Sequence, residues 1–512
     1  MNFQDIKISF AQLDKLIKNG QLHQAQTILQ TFKKSEVPFE YWYELADFAR
    51  RAQMPYLVLQ WLNSVVRPET DSDRNNRAEA KHISLYANAL TRIGSYKEAE
   101  VLLKKIKPDQ DSQVYFYFAL LEMQQWNNLA ASRYLKKFLE TPKLPEYNIK
   151  IGKLNLAATL SSIDEYEESL DIIEDLLKEV PPNSLLRANL LEIKGQNLFH
   201  LEQFLESQKS LEESISIFQN SSNTYRYYAE KWLMLNQVFN LKSPYAKNIS
   251  YLEEFKNRAL IAKQWEVVRD CDFFKCYLSN DEDLLFKIYF GTRFKYYNQR
   301  ILKYFGFYAN VPKQFNLTVG PITKDSQLVN LKLPLIFDRG QGAFSDNFQQ
   351  ILDKLPLKLF QLLTSDIYQP FHLGEIFSVI YENEYFNPHT SPQKLSRLIF
   401  RLRDVLEKNN LPIRVLLYNK QVRLSYLEPV IFKIKKNEKK ITFLDEYIKI
   451  KDHFPEHYFN VHEVEKLLNI SNRTAKRILQ KLVTERLVYI QKQGPQTRYR
   501  IIKSSKINNK SA

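Results

Sequence analysis

LNLAATLSSIDEYEESLDIIEDLLKEVP, residues 154–181, places Leu156, Ala157 and Leu160 on one face of a first helix, breaks at a short polar turn, and then sets Tyr166, Ser169, Ile173 and Leu176 on a second helix closed by Pro181. A hairpin of two amphipathic helices leaves an apolar face that a single hairpin cannot bury, so the pattern predicts neighbours of the same kind. They are present. Leu191, Gly195, Leu198, Phe204, Ser207, Leu211 and Ser214 repeat the same internal offsets. Earlier copies run through Leu22, Ala25 and Leu29 with Pro38 closing, and through Gly94, Tyr96, Ala99 and Leu103 with Pro108 closing. The pattern extends loosely from Phe3 to about Phe305 and predicts a helical-repeat solenoid over residues 1–308.

These offsets resemble the tetratricopeptide (TPR) repeat, in which small residues let the two helices of a hairpin approach and aromatics fill the gap between hairpins. The resemblance covers most of residues 1–270, with spacings that vary between turn aromatics such as Tyr96, Trp126, Tyr166 and Phe204. It implies a right-handed superhelix whose concave face binds a protein or peptide partner; a scaffold or dimerisation arm, giving a homodimer, is the plainer alternative. At residues 284–315, LLFKIYFGTRFKYYNQRILKYFGFYANVPKQF interleaves aromatics with Lys and Arg. Such a segment either stacks on nucleic-acid bases or closes the end of the solenoid.

The 512 residues suffice for three or four domains, and 44% hydrophobic with 26% charged residues is an ordinary globular balance. Two cysteines, Cys271 and Cys276, exclude a disulfide scaffold and a Cys-rich zinc module and fit a reducing compartment. The first twenty residues lack the apolar core of a signal peptide, and no run of about 18 apolar residues occurs, so a cytoplasmic protein with no membrane partner is expected. The net charge of +15 points to a polyanion. Residues 431–512 hold 19 Lys and Arg against 8 Asp and Glu, so most of the excess sits in the last sixth of the chain.

Beyond Pro312 the texture becomes strand-like at 315–319 and 329–337, with a turn-rich stretch at 338–346. Helices follow at 355–363, at 373–381 and in SPQKLSRLIFRLRDVLEKNN, where Ser391 can cap, Pro392 suits the first turn, and Leu395, Leu398, Ile399, Leu402 and Leu406 share a face. Residues 413–417 and 422–426 read as a hairpin. The order resembles the effector domain of OmpR-type response regulators over about 315–428, with RLIFRLRDVLEK in the place of the recognition helix, although the wing lacks its usual glycine. The resemblance implies a winged helix at 309–432 with Lys394, Arg397 and Arg401 available to DNA, or a structural unit of the same shape.

After a lysine-rich connection at 434–440, helices are expected at 443–454, 462–468 and 472–484, with a turn at Asn469–Ser471. In the third, Ala475, Ile478, Leu479 and Leu482 face inward, which leaves Arg473, Thr474, Lys476, Arg477, Gln480 and Lys481 on or near the other face, with Ser471 or Asn472 as cap. Arg and Gln suit guanine and adenine edges, and Lys suits phosphates. Strands at 487–492 and 498–502, joined across Gln493 and Gly494, carry Lys492, Arg498 and Arg500. ISNRTAKRILQKLVTERLVYIQKQGPQTRYRI resembles the winged helix-turn-helix of MarR-like regulators, which implies a domain at 433–503 that binds double-stranded DNA. The winged helices of PCI domains, which also follow a solenoid, dock protein instead. Residues 504–512 read as a basic disordered tail.

No P-loop, HExxH or nucleophile elbow occurs, and Arg339–Gly342 is a lone glycine cluster, so no enzyme and no cofactor are expected. His453, His457 and His462 straddle a helix end and a loop and read as surface residues. The sequence therefore reads as mainly α, a TPR-like solenoid followed by two winged-helix (α+β) domains, and as a bacterial DNA-binding transcriptional regulator. The alternative is a non-enzymatic assembly subunit whose modules all bind protein.

Overall fold

The computed structural model describes residues 3–68, 78–219, 225–240, 245–305, 311–321, 335–339, 343–344, 352–435, 443–455, 457–484, 487–493 and 496–501. The fold is mainly α. Helices α1 (Phe3–Lys18), α2 (Leu22–Thr31), α3 (Trp42–Arg51), α4 (Pro55–Val66), α5 (Ala80–Arg92), α6 (Tyr96–Leu103), α7 (Val114–Gln124), α8 (Asn128–Leu139), α9 (Glu146–Ser162), α10 (Tyr166–Glu179), α11 (Leu185–His200) and α12 (Phe204–Gln219) stack as successive hairpins. α13 (Arg226–Asn240), α14 (Tyr245–Ile261), α15 (Trp265–Ser279), α16 (Glu282–Phe290) and α17 (Lys295–Phe305) complete the TPR-like solenoid.

One turn geometry recurs. Gly20, Gln53, Gly94, Trp126, Asp164, Glu202 and Lys263 all have positive φ, between 58° and 83°. In each case the next residue donates its N–H to a carbonyl five residues back, as in Met54 to Ala49 (2.8 Å), Glu165 to Leu160 (3.0 Å) and Gln203 to Leu198 (2.8 Å). This is the Schellman closure of a helix C-terminus. Only two of the seven positions are glycine, so composition does not reveal it.

The small residues do what the repeat pattern requires. Ser169 Oγ donates to Ala157 O, and Ser207 Oγ to Gly195 O, both at 2.8 Å, so the same bond ties both hairpins across their closest approach. A Cβ on Gly195 would lie 2.4 Å from Leu211 Cγ. Asn197 Nδ2 donates to Ser169 Oγ at 2.8 Å and joins one hairpin to the next.

The next unit contains β1 (Gln314–Val319), β2 (Leu335–Asp338), β3 (Ala343–Phe344), α18 (Lys354–Leu363), β4 (Phe371–His372), α19 (Leu373–Ile380), α20 (Ser391–Lys408), β5 (Ile413–Tyr418), β6 (Gln421–Tyr426) and β7 (Val430–Lys435). Strands β4, β6 and β5 form one sheet in that order, which with α18, α19 and α20 is consistent with a winged helix. The glycine missing from the β5–β6 turn is replaced by Asn419 and Lys420, at φ 46° and 60°, a two-residue turn with both residues left-handed. Thr390, not Ser391, occupies the N-cap position of α20; Ser391 Oγ instead accepts the Asn387 N–H at 2.9 Å.

The second sheet corrects the sequence reading. Residues 434 and 435, expected to begin a connection, end strand β7, which lies between β1 (antiparallel) and β2 (parallel) in the order β1-β7-β2-β3. The strand passes the expected boundary at 432. Val430, Phe432 and Ile434 are buried, but alternation with lysines masked a six-residue central strand. The expected strand at 329–337 and turn at 338–346 are described only at 335–339 and 343–344.

This unit shares one continuous core with the first half of the solenoid, from Leu13 to Leu160. Helices α16 and α17 of the aromatic segment share a second core with α13, α14 and α15. Phe290 stacks on Phe315 (5.3 Å, 13°), and Tyr297 is buried.

The last unit has its own core. It runs α21 (Phe443–His453), a bridge at Phe459, α22 (Val461–Leu468), α23 (Asn472–Thr484), β8 (Val488–Gln493) and β9 (Gln496–Ile501). Phe459 pairs with Tyr499 on the final strand, as Phe371 pairs with Val422 in the preceding unit, so the two units share one topology. The tail 504–512 lies outside the described residues. Among those residues no helix is long and apolar enough to cross a membrane.

Candidate nucleic-acid interface

Local chemistry fixes the helix-turn-helix at both ends. Asn460 Oδ1 accepts the N–H groups of His462 (2.9 Å) and Glu463 (3.0 Å), and the Glu463 carboxylate accepts the Asn460 N–H at 2.7 Å, a reciprocal cap on α22. Asn469, left-handed at φ 51°, ends α22. Ser471 Oγ then accepts the Thr474 N–H at 3.3 Å and starts α23.

Along α23, Ala475, Ile478, Leu479 and Leu482 are buried, while Arg473, Lys476, Arg477, Gln480 and Lys481 are exposed. Their spacing of three, one, three and one residues keeps all five on one helical stripe. Ser471, Asn472 and Thr474, expected to face DNA, are engaged within the protein. Ser471 and Thr474 pair their hydroxyls at 2.9 Å within the cap. Asn472 Nδ2 donates to Glu465 Oε2 at 3.0 Å; that carboxylate also faces His462 Nδ1 at 3.1 Å, and the Asn472 bond followed by His462 holds it below its usual range.

On the wing, Arg498 is exposed, and Arg500 is half-buried with its guanidinium 5.4 Å from the Tyr458 ring. The register sets Arg498 opposite Gln491 and Arg500 opposite Tyr489. In the backbone register Lys492 pairs with Thr497 and Gln493 with Gln496. The side chains of Lys492 and Gln493 and the Gly494-Pro495 turn lie outside the described residues.

The middle unit presents α20 differently. Lys394 Nζ lies 2.6 Å from Glu384 Oε1 and 3.9 Å from the Tyr381 ring, and Arg401 pairs with Asp353 at 2.8 Å; Arg397 is exposed. Its wing rests on the solenoid. Lys420 Nζ lies 4.0 Å from the Tyr56 ring, Lys263 Nζ 3.7 Å from Tyr418, and the Arg423 guanidinium 4.8 Å from Trp265.

Sequence reasoning did not locate a cavity of about 460 Å³ on the solenoid, between α7, α9, α11, α13, α15 and α17. Its walls include Trp126, Asn189, Glu192, Gln196, Lys231 and Trp232. Polar residues inside an otherwise apolar repeat were the available signal. Among the described residues no group of three His, Cys, Asp or Glu could hold a metal ion. Both cysteines are buried, and burial raises their thiols to about 12.

No family model and no curated protein matches the chain. Among solved structures it is similar to the apo form of RapI, with 14% identity, TM-score 0.35, and coverage of 56% of this chain and 85% of that one. It is also similar to a Rap protein complexed with competence and sporulation factor, with 10% identity, TM-score 0.37, and coverage of 80% and 93%.

Proposed function

We propose that the chain is a DNA-binding transcriptional regulator in which the C-terminal unit, a winged helix of the MarR-like kind, contacts duplex DNA and the solenoid receives a protein or peptide partner. The exposed stripe Arg473, Lys476, Arg477, Gln480 and Lys481 on α23, backed by a fully apolar inner face, carries this reading. A helix with one packed face and one cationic, amide-bearing face suits the major groove, and Arg498 on the wing suits flanking phosphates. The middle unit, of OmpR-type order, has its wing on the solenoid and two of its three candidate cations in ion pairs, which favours a structural role for it.

The test is fluorescence anisotropy of the full chain with random duplex DNA across a salt series. Arg473→Ala with Arg477→Ala should weaken binding and reduce the slope of log K against log salt by about two, at roughly 0.9 for each phosphate no longer neutralised. Unchanged affinity and slope would remove α23 from the interface. Absence of binding by the intact chain at low salt would assign the C-terminal unit to protein docking.

A further inference from the structure

The cavity on the solenoid is walled by aromatic rings and by charged groups, most of which are already engaged. Lys231 Nζ holds Asp270 at 2.7 Å and lies 4.4 Å from the Trp232 ring. Glu266 accepts the Tyr228 hydroxyl at 2.8 Å and Gln369 Nε2 at 3.4 Å. Helix α11 differs. Asn189, Glu192 and Gln196, spaced three and four residues apart on one face, line the cavity, and none of the three side chains has a hydrogen-bond partner among the described residues.

Glu192 is half-buried, so its carboxyl has lost part of its hydration without gaining a hydrogen bond, and a cation brought to it recovers that cost as a charge-assisted hydrogen bond. Primary amides both donate and accept, which matches the alternating N–H and C=O groups of an extended peptide. The volume of about 460 Å³ is in the range of small-ligand sites, about 300–1,000 Å³. Resting on the reading of the solenoid as a partner-binding groove, we propose that the cavity binds a short extended peptide carrying one basic side chain, with Glu192 as its counter-ion and Asn189 and Gln196 on its backbone. Desolvation of Glu192, which raises its carboxyl to about 7 against the pull of Lys231, is consistent with a site completed by an incoming cation.

The test uses the full chain and two pools of capped pentapeptides, randomised except for a central Arg in one and the neutral isostere citrulline in the other. Binding is read from tryptophan fluorescence, since Trp126 and Trp232 line the cavity, and from the thermal midpoint. The Arg pool should bind about tenfold tighter, the effect of one charge-assisted hydrogen bond. Glu192→Gln should erase that difference, chiefly by weakening the Arg pool. Asn189→Ala with Gln196→Ala should weaken both pools alike, and capped arginine alone should bind far more weakly than either pool.

Equal affinities in the unaltered chain, a difference that survives Glu192→Gln, or capped arginine binding as tightly as the peptides would each overturn the proposal. Equal binding of both pools would leave the groove a peptide site without the ion pair. Binding of neither pool would also overturn the partner-groove reading, and the DNA measurement is independent of both.

Discussion

Arg293, between α16 and α17, donates through Nη2 to Glu375 Oε2 at 3.0 Å, and the backbone N–H of the same Glu375 donates to Ile93 O at 2.9 Å. Residues from the first half of the solenoid and from its last turns thus meet on α19 of the middle unit. Asp366 joins them, accepting from Arg293 Nη1 at 2.9 Å, and Tyr368 OH donates to Asp272 at 2.8 Å. Burial raises the Glu375 carboxyl, with Arg293 opposing it.

Removing one partner of this cluster leaves a buried charge alone. Arg293→Ala should therefore cost about 3–5 kcal/mol, read as a lower denaturant midpoint of the full chain. A loss below about 1 kcal/mol, the scale of a surface pair, would show that the cluster does not hold the last turns of the solenoid to the middle unit.

The same junction is sterically tight. A Cβ on Gly374 would lie 2.5 Å from Ile93 Cδ1 and 2.6 Å from Ile93 O, and one on Gly94, at φ +83°, 2.6 Å from Glu375 Cβ. Gly374→Ala should lower the thermal midpoint, at a cost of about 1–3 kcal/mol for overpacking. A midpoint equal to that of the unaltered chain would count against the close backbone approach.

Burial lowers His200 to about 3 and His372 to about 4, from 6.5. Both are neutral in the fold and charge more readily once unfolded. Their contribution is full above pH 6.5 and fades as pH falls toward 4. Glu192, raised to about 7 from 4.5, has the opposite slope: its contribution is full below 4.5 and lost as pH rises through about 7. His372→Gln should flatten the loss of thermal midpoint between about pH 6.5 and 4, and Glu192→Gln should gain stability relative to the unaltered chain above pH 7. Parallel curves would contradict the assignments.

Ser169 and Ser207 make the same buried bond in neighbouring hairpins, to carbonyls that keep their own helical partners, so Ser207→Ala should lose one net hydrogen bond, about 0.5–1.5 kcal/mol. Ser169→Ala should cost more, because it also strips the partner of Asn197 Nδ2. Urea midpoints of the two variants decide the order.

On DNA, Lys394→Ala with Arg401→Ala should change affinity by less than about twofold, since both cations are already paired on the surface and such pairs are worth about 0–1 kcal/mol. A loss as large as that from the α23 arginines would return the middle unit to the interface.

The repeat offsets, the apolar stripes of α20 and α23 and the order of the last elements were legible in the sequence, because each rests on side chains three or four residues apart that a single helix brings together. Ser471 as cap and the cationic stripe of α23 followed from the same local rule. What the sequence concealed depends on partners far along the chain. The central strand β7 owes its burial to β1 and β2, more than 90 residues earlier. Lys394 and Arg401 are occupied by acids outside their own helix, and the middle wing by Tyr56, Lys263 and Trp265 of the solenoid. The hairpin 154–181 determined by itself that the chain forms a helical-repeat solenoid, since its unburied face demands neighbours. Only the tertiary structure decided that Ile93 and Arg293, 200 residues apart in the solenoid, converge on Glu375 and that Glu192 lines a cavity without a hydrogen-bond partner, because such charges are balanced across space and not along the chain.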